Sequence, residues 1–257
     1  MKYTKAPLNH GYANQILSID LGANTIAIEP LTPEVRDFFI GGRGMGLYLL
    51  HRRTTTATTA YSPENPLIFA PGPLGGVPQF PGTSKCMAVS LSPLTHIPGV
   101  SNFGGYFGAY LKYAGFDALE ISGVAENNVM IVIDSFRDDI SVIAAPAIDQ
   151  VFDLEQAIIE QFVQKGHDKK NIVFLTTGMG AAITNYGCIN SHYFDVAKPV
   201  QETKGLFRTK QAGRTGLGSV MMHKNIRAVI VLAQFPHGDN PYGAADWNKV
   251  KQAGLKL

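Results

Sequence analysis

Glycine is the residue that most constrains this chain. There are 27 among 257 residues, and they bunch into four blocks: Gly41-Gly42-Arg43-Gly44-Met45-Gly46, Gly72-Pro73-Leu74-Gly75-Gly76, Gly104-Gly105-Tyr106-Phe107-Gly108 and Gly213-Arg214-Thr215-Gly216-Leu217-Gly218. Glycine is favoured where the backbone needs positive φ or must approach another group closely. Four such blocks predict an extended surface on which main chain meets a ligand or another domain. The length suits one large domain or two small ones. With 45% hydrophobic and 16% charged residues, a sizeable core is available.

Periodicity supplies the elements around those blocks. Asn14 to Asp20 and Thr25 to Glu29 alternate about a Gly22-Ala23-Asn24 turn and read as a β-hairpin. A short helix follows, capped by Thr32 with Pro33 first and with Phe38 and Phe39 facing inward. Residues 46 to 53 read as a second helix, Gly105 to Gly115 as a third and Leu217 to His223 as another. Leu154 to Lys165 carries the strongest helical signal, with Asp153 as its cap and Gly166 past its end. Strands are expected at Leu67 to Ala70, Cys86 to Leu91, Ala118 to Ser122, Val129 to Asp134, Ile140 to Ala144, Asn171 to Thr176 and Ala228 to Ala233. Several strands follow one another without a helical crossover, which argues for an α+β fold. No period of 20 to 50 residues repeats. Residues 1–235 read as one domain and 236–257 as a tail whose Ala244 to Gly254 segment opens a helix with little core, the start of a missing second domain.

Several function classes drop out. A net charge of +2 gives no basis for a nucleic-acid partner. No run reaches the ~18 apolar residues of a membrane span, and no apolar stretch follows the N-terminal lysines, so a cytoplasmic location is expected. Cys86 and Cys188 fit no CxxC pattern and read as reduced core thiols. An iron–sulfur cluster ordinarily takes four thiolates, so none is expected in this chain. Gly42-Arg43-Gly44-Met45-Gly46 has the wrong spacing for a dinucleotide fingerprint, and a helix precedes it. The seven histidines form no metal-ligand spacing.

Three segments keep a chemical reading. Gly82-Thr83-Ser84-Lys85-Cys86 sets a cation on a loop before a strand. Ser101-Asn102-Phe103-Gly104-Gly105 and Lys210-Gln211-Ala212-Gly213-Arg214 each run into a helix. Free amides at helix N-termini with nearby cations favour anions, so together the segments suit a multi-phosphate group. Ordinary capping with solvated charges is the alternative, and on chemistry alone both stay open.

The same segments carry a resemblance. Ile40-Gly41-Gly42-Arg43-Gly44, Ser62-Pro63-Glu64-Asn65, Ala70-Pro71-Gly72-Pro73-Leu74, Ser92-Pro93-Leu94-Thr95, Asn102 to Gly108, Lys112-Tyr113-Ala114-Gly115-Phe116-Asp117, Ala212-Gly213-Arg214, Gly218-Ser219-Val220-Met221 and Lys224 to Ala228 are collinear with the aldehyde:ferredoxin oxidoreductase family. From Asn14 to Ala233 the chain resembles that family's N-terminal domain. The resemblance implies two related, mainly antiparallel β-sheets with short helices. It also implies a surface supporting a tungstopterin or molybdopterin cofactor with Mg²⁺ bridging its phosphates. By position, Lys85, Asn102, Gly104, Gly105, Ala212, Gly213 and Arg214 lie at the cofactor, with Asn102 and Ala212 at Mg²⁺.

Departures from the family accompany these matches. Lys85 replaces an arginine, giving a point charge where a planar fork stood. Ala181-Ala182-Ile183 replaces a segment with an acidic residue and an Asn, and His223 replaces a glycine. His192 to Lys210 is longer than its family counterpart and is expected to form a larger loop. The cluster cysteines and later Asp-x-x-Gly-Leu pterin motifs of the family are absent. The resemblance therefore implies a complementary subunit carrying the cluster, with ferredoxin reached only indirectly. A non-catalytic binding module and a truncated product are the alternative readings.

Overall fold

A computed structural model describes residues 1–80, 82–200 and 203–256. The first half runs β1 (Gln15–Asp20), β2 (Thr25–Pro30), α1 (Pro33–Phe39), α2 (Gly42–Arg53), β3 (Leu67–Pro71), β4 (Cys86–Leu91), β5 (Pro98–Phe103), α3 (Phe107–Tyr113) and β6 (Ala118–Ser122). The second runs β7 (Val129–Asp134), β8 (Asp139–Ala144), α4 (Val151–Gln164), β9 (Ile172–Thr176), β10 (Ile189–Val200), β11 (Thr203–Ala212), α5 (Leu217–His223) and β12 (Ile226–Leu232). Helix α6 (Trp247–Gly254) follows.

The two halves repeat one topology. The first sheet is ordered β2-β1-β6-β3-β4-β5 and the second β11-β10-β9-β12-β7-β8. Each has a single parallel pair, its first strand against its last: β1 with β6 and β7 with β12. Every other ladder is antiparallel. In both halves the same strand, β5 or β11, ends in a glycine-rich turn leading into a seven-residue helix. The fold is therefore α+β with an internal duplication.

Alternation along the strands sorts the side chains into layers. Leu17, Ile19, Leu119 and Ile121 of the first sheet join Val173, Leu175, Val229 and Val231 of the second in one core, with α3 and α5 packed into it. Ile16, Ile68, Ala70 and Val89 face the other way, under Met45 and Leu49 of α2. Met130, Phe174 and Ile230 lie under Leu154 and Ile158 of α4. Residues past β12 pack on this body as well. Tyr242 is buried and donates to the Gly76 carbonyl, and Trp247 and Val250 rest against the main core.

Several expectations need correction. Phe38 is 81% exposed, because α1 buries no residue. Only Phe39 packs, against Tyr48 at 4.7 Å. Helix α2 begins at Gly42, so the first glycine block is helical; Gly46 lets it lie on Val89, which an added Cβ would meet at 2.5 Å. Asp153 sits inside the first turn of α4, whose cap is Gln150. Strand β5 precedes α3 directly. Within the stretch His192 to Lys210, residues 192–200 and 203–210 belong to the paired strands β10 and β11 rather than to a loop. Cys188 is exposed, whereas Cys86 is buried.

Several family-like motifs prove to be braces. Lys112, 1% exposed, donates to the Gly11 carbonyl and lies 3.3 Å from Asp117 Oδ1. The Asp117 carboxylate accepts from Ala13 N at 3.2 Å and Asn14 N at 2.6 Å. Glu120 is wholly buried and meets Arg52 and Arg53, each at 3.1 Å. Removing a buried partner strands the remaining charges. Since the arginines are partly exposed, we expect Glu120→Ala to destabilise by about 3 kcal/mol, at the low end of that range, in urea unfolding.

Lys224, just past α5, ties the halves together by donating to Gly123 O at 3.0 Å and Pro63 O at 3.2 Å. Burial lowers its pKa to about 8, against the opposing pull of Asp20 and Glu64. The unfolded chain, with an ordinary lysine near 10.5, binds more protons between about pH 8 and 10, so stability rises with pH there. Wild type should gain about 2 kcal/mol over that window. Lys224→Met should lack this increment in matched denaturation curves.

Candidate functional site

The edge strands β5 and β11 bring the two sheets together. Ser92 Oγ accepts from Leu94 N and Thr95 N, and donates to Thr215 O at 2.7 Å. Ser101 Oγ accepts from Arg214 N at 3.1 Å. A Cβ at Gly99 would meet the Thr215 side chain at 2.8 Å. Each glycine turn is thus fitted against the opposite half. Gly105, at φ +88°, lies under Ser191 and Tyr193, with Ser191 Oγ 2.9 Å from where its Cβ would be. Gly216, at φ +69°, has Asn185 O only 1.9 Å from that position, so no side chain is possible without moving backbone.

At this seam the structure brings Lys85 to Gly104, with Nζ 3.9 Å from the position a Cβ would take. Lys210 reaches the same point from β11, its Cγ at 3.5 Å. Among the described residues, Lys85, Lys210 and Arg214 make no ion pair. Two ammonium-bearing chains from opposite halves therefore converge on one glycine without a carboxylate, an arrangement that favours an anion. Asn102 is exposed beside them on β5. Gly213 is open, with nothing within 4 Å of where a Cβ would stand. Ala212 is fully buried, main chain included, and pairs with Ile189 behind this surface. Arg214 is anchored at the seam through its backbone.

The duplication adds Gln211, which the sequence alone does not single out. Asn102 pairs with Met87 one position before the Cys86–Phe103 pair that closes its ladder. Gln211 pairs with Asn190 one position before the Ile189–Ala212 pair that closes the other. Asn102 and Gln211 are thus equivalent, each the penultimate residue before a glycine turn. Lys210 is visible in the sequence as a charge in its segment. Its convergence with Lys85 depends on a hairpin that the sequence does not announce.

A duplicated α+β platform with a cation-bearing seam is the class that fold and site define. The family model for the aldehyde ferredoxin oxidoreductase N-terminal domain matches residues 16–233, and the chain belongs to that family. A tungsten-containing aldehyde ferredoxin oxidoreductase of Pyrococcus abyssi is 32% identical over 228 residues, covering 86% of this chain and 33% of the relative. The aliphatic sulfonate oxidoreductase WOR-like subunit of Pyrococcus furiosus is 26% identical over 238 residues, covering 88% of this chain and 35% of the relative. The active-site complex BamBC of benzoyl coenzyme A reductase, solved with 1,5-dienoyl-CoA, shares the fold. Its TM-score is 0.74 at 24% identity, covering 91% of this chain and 32% of that one. The chain spans about a third of the length of these relatives. No helix among the described residues is long and apolar enough to cross a membrane.

Proposed function

We propose that this chain supplies the phosphate-binding wall of a pterin-cofactor site in a tungsten enzyme of its family, with complementary polypeptide supplying the remaining site. The observation that carries this reading is the convergence of Lys85 and Lys210 on Gly104 without an acidic partner. An anion with several phosphate oxygens satisfies both ammonium groups, and the bare glycine lets it approach the main chain. Asn102 and Gln211 flank it as an equivalent pair of amides. Asn102 would help hold a Mg²⁺ accompanying the phosphates, with the buried Ala212 supporting it from behind, and Gly105, Gly213 and Arg214 would complete the wall.

When bound, the tungsten or molybdenum pterin would supply the redox chemistry for oxidising an aldehyde to a carboxylic acid, with a 4Fe–4S cluster held elsewhere and ferredoxin as the electron acceptors. This chain binds and orients. Its two cysteines differ in setting: Cys86 is buried with its thiol pKa raised by desolvation, and Cys188 is exposed. The test is cofactor content in an assembly reconstituted with the complementary polypeptide. Lys85→Ala combined with Asn102→Asp should lower pterin and tungsten content at least about tenfold, the loss of a charged hydrogen bond. Unchanged content in that variant removes the assignment.

A further inference from the structure

Near the seam lies a cavity of about 610 Å³ that the proposed function leaves unused. Rings make up much of its lining: Tyr106, Tyr110 and Tyr113 on α3, Phe80 before β4, Phe194 on β10 and Phe235 after β12. Tyr106 and Tyr110 stand nearly parallel, 9° apart with centroids separated by 6.3 Å. Phe235 meets Tyr113 edge-on, at 72° and 5.6 Å. The Tyr110 and Tyr113 hydroxyls are engaged by the carbonyls of Lys170 and Gly76, which leaves their rings as apolar wall.

We infer that this cavity binds a small, planar, uncharged aromatic or heteroaromatic molecule. Its volume falls in the ~300–1,000 Å³ range of small-molecule sites. Aromatic rings prefer offset-stacked and edge-to-face contacts, and the walls present both faces and edges. Lys170, on the lining, is paired with Asp168 at 3.3 Å, and His237 is bonded to Gln234 at 3.2 Å. No described lining cation is left to recruit an anion. Ser84 and Asn171 also line the cavity; their side chains have no hydrogen-bond partner among the described residues and can hold a polar ring edge. The site does not rest on the phosphate reading, since Lys85 and Lys210 are not part of its lining.

The test uses 2-naphthol against its saturated analogue decahydro-2-naphthol, by calorimetry and saturation-transfer NMR on the full chain. We expect one molecule of 2-naphthol per chain, bound about tenfold tighter than the non-planar analogue. Phe235→Ala should weaken it by roughly three- to tenfold; Phe235 is 39% exposed, so the fold should tolerate the change. Asn171→Ala should weaken 2-naphthol while sparing naphthalene, which has no polar edge. Saturating inorganic pyrophosphate should leave the titration unchanged. Absence of binding, equal affinity for both probes, indifference to Phe235→Ala or displacement by pyrophosphate would each overturn the inference.

Discussion

Replacing Lys85 and Lys210 together by alanine should abolish measurable binding of magnesium pyrophosphate, the simplest probe of the seam. Each lysine contributes a charge-assisted hydrogen bond of about 1.5–3 kcal/mol, so either single change should weaken the probe by roughly tenfold or more. The double variant should lose on the order of a hundredfold, less any coupling between lysines that share one ligand. Both side chains are exposed, so the losses should come without loss of stability. Lys85→Arg should retain binding, because a guanidinium restores the charge and adds a fork. Wild-type affinity should also fall with added salt, since exposed charges are screened. Undiminished binding by the double variant would place the anion elsewhere.

The second large effect concerns packing. Gly218 opens α5 where the helix rests on the entry to β10. A Cβ there would lie 2.3 Å from Cys188 O, 2.6 Å from Cys188 C and 2.7 Å from Gly187 C. All three are backbone atoms, so no rotamer change relieves the clash. Gly218 N also donates to Gly187 O at 2.9 Å, fixing the helix at that height. Gly218→Ala must therefore lift α5 and loosen Leu217, Val220 and Met221 in the central core. Overpacking ordinarily costs about 1–3 kcal/mol; with only backbone to yield, we expect about 3 kcal/mol or more. Gly213→Ala is the matched control, open to solvent with no atom within 4 Å, and should change stability by less than about 0.5 kcal/mol. Equal effects for the two substitutions in urea unfolding would contradict this packing account.

Much of the local structure is legible in the sequence because local chemistry dictates it. The limits of β4 and α5 agree with the residues read from their patterns, and Thr32 caps α1 as its side chain predicts. Phe38 misleads because a seven-residue helix turns one ring inward while its neighbour stays in water. The β10–β11 hairpin escapes a pattern reading because its lysines, threonines and glycine dilute the alternation that marks a half-buried strand. Its structural role comes from pairing across to β9 and from the seam, which are tertiary features.

The duplication is the clearest case of information absent from residue identity. Asn102 corresponds to Gln211 and Lys85 to Cys188, so the halves share register and topology while their side chains differ. In the sequence the candidate site is legible as three separate segments. What joins them is long-range: Ser92 and Ser101 on one half, Thr215 and Arg214 on the other. The Lys112…Asp117 and Ser92-Pro93-Leu94-Thr95 motifs serve this assembly, one bracing the N-terminal segment and the other docking the second glycine turn.

The most direct test of the central claim is to purify the chain from its native cell under anaerobic conditions and measure tungsten, molybdenum and pterin in whatever co-purifies. A stable complex with a second polypeptide is expected, containing tungsten or molybdenum and pterin, whose cofactor content falls when Lys85 and Lys210 are replaced. Recovery of this chain as a metal-free, pterin-free species with no partner would contradict it.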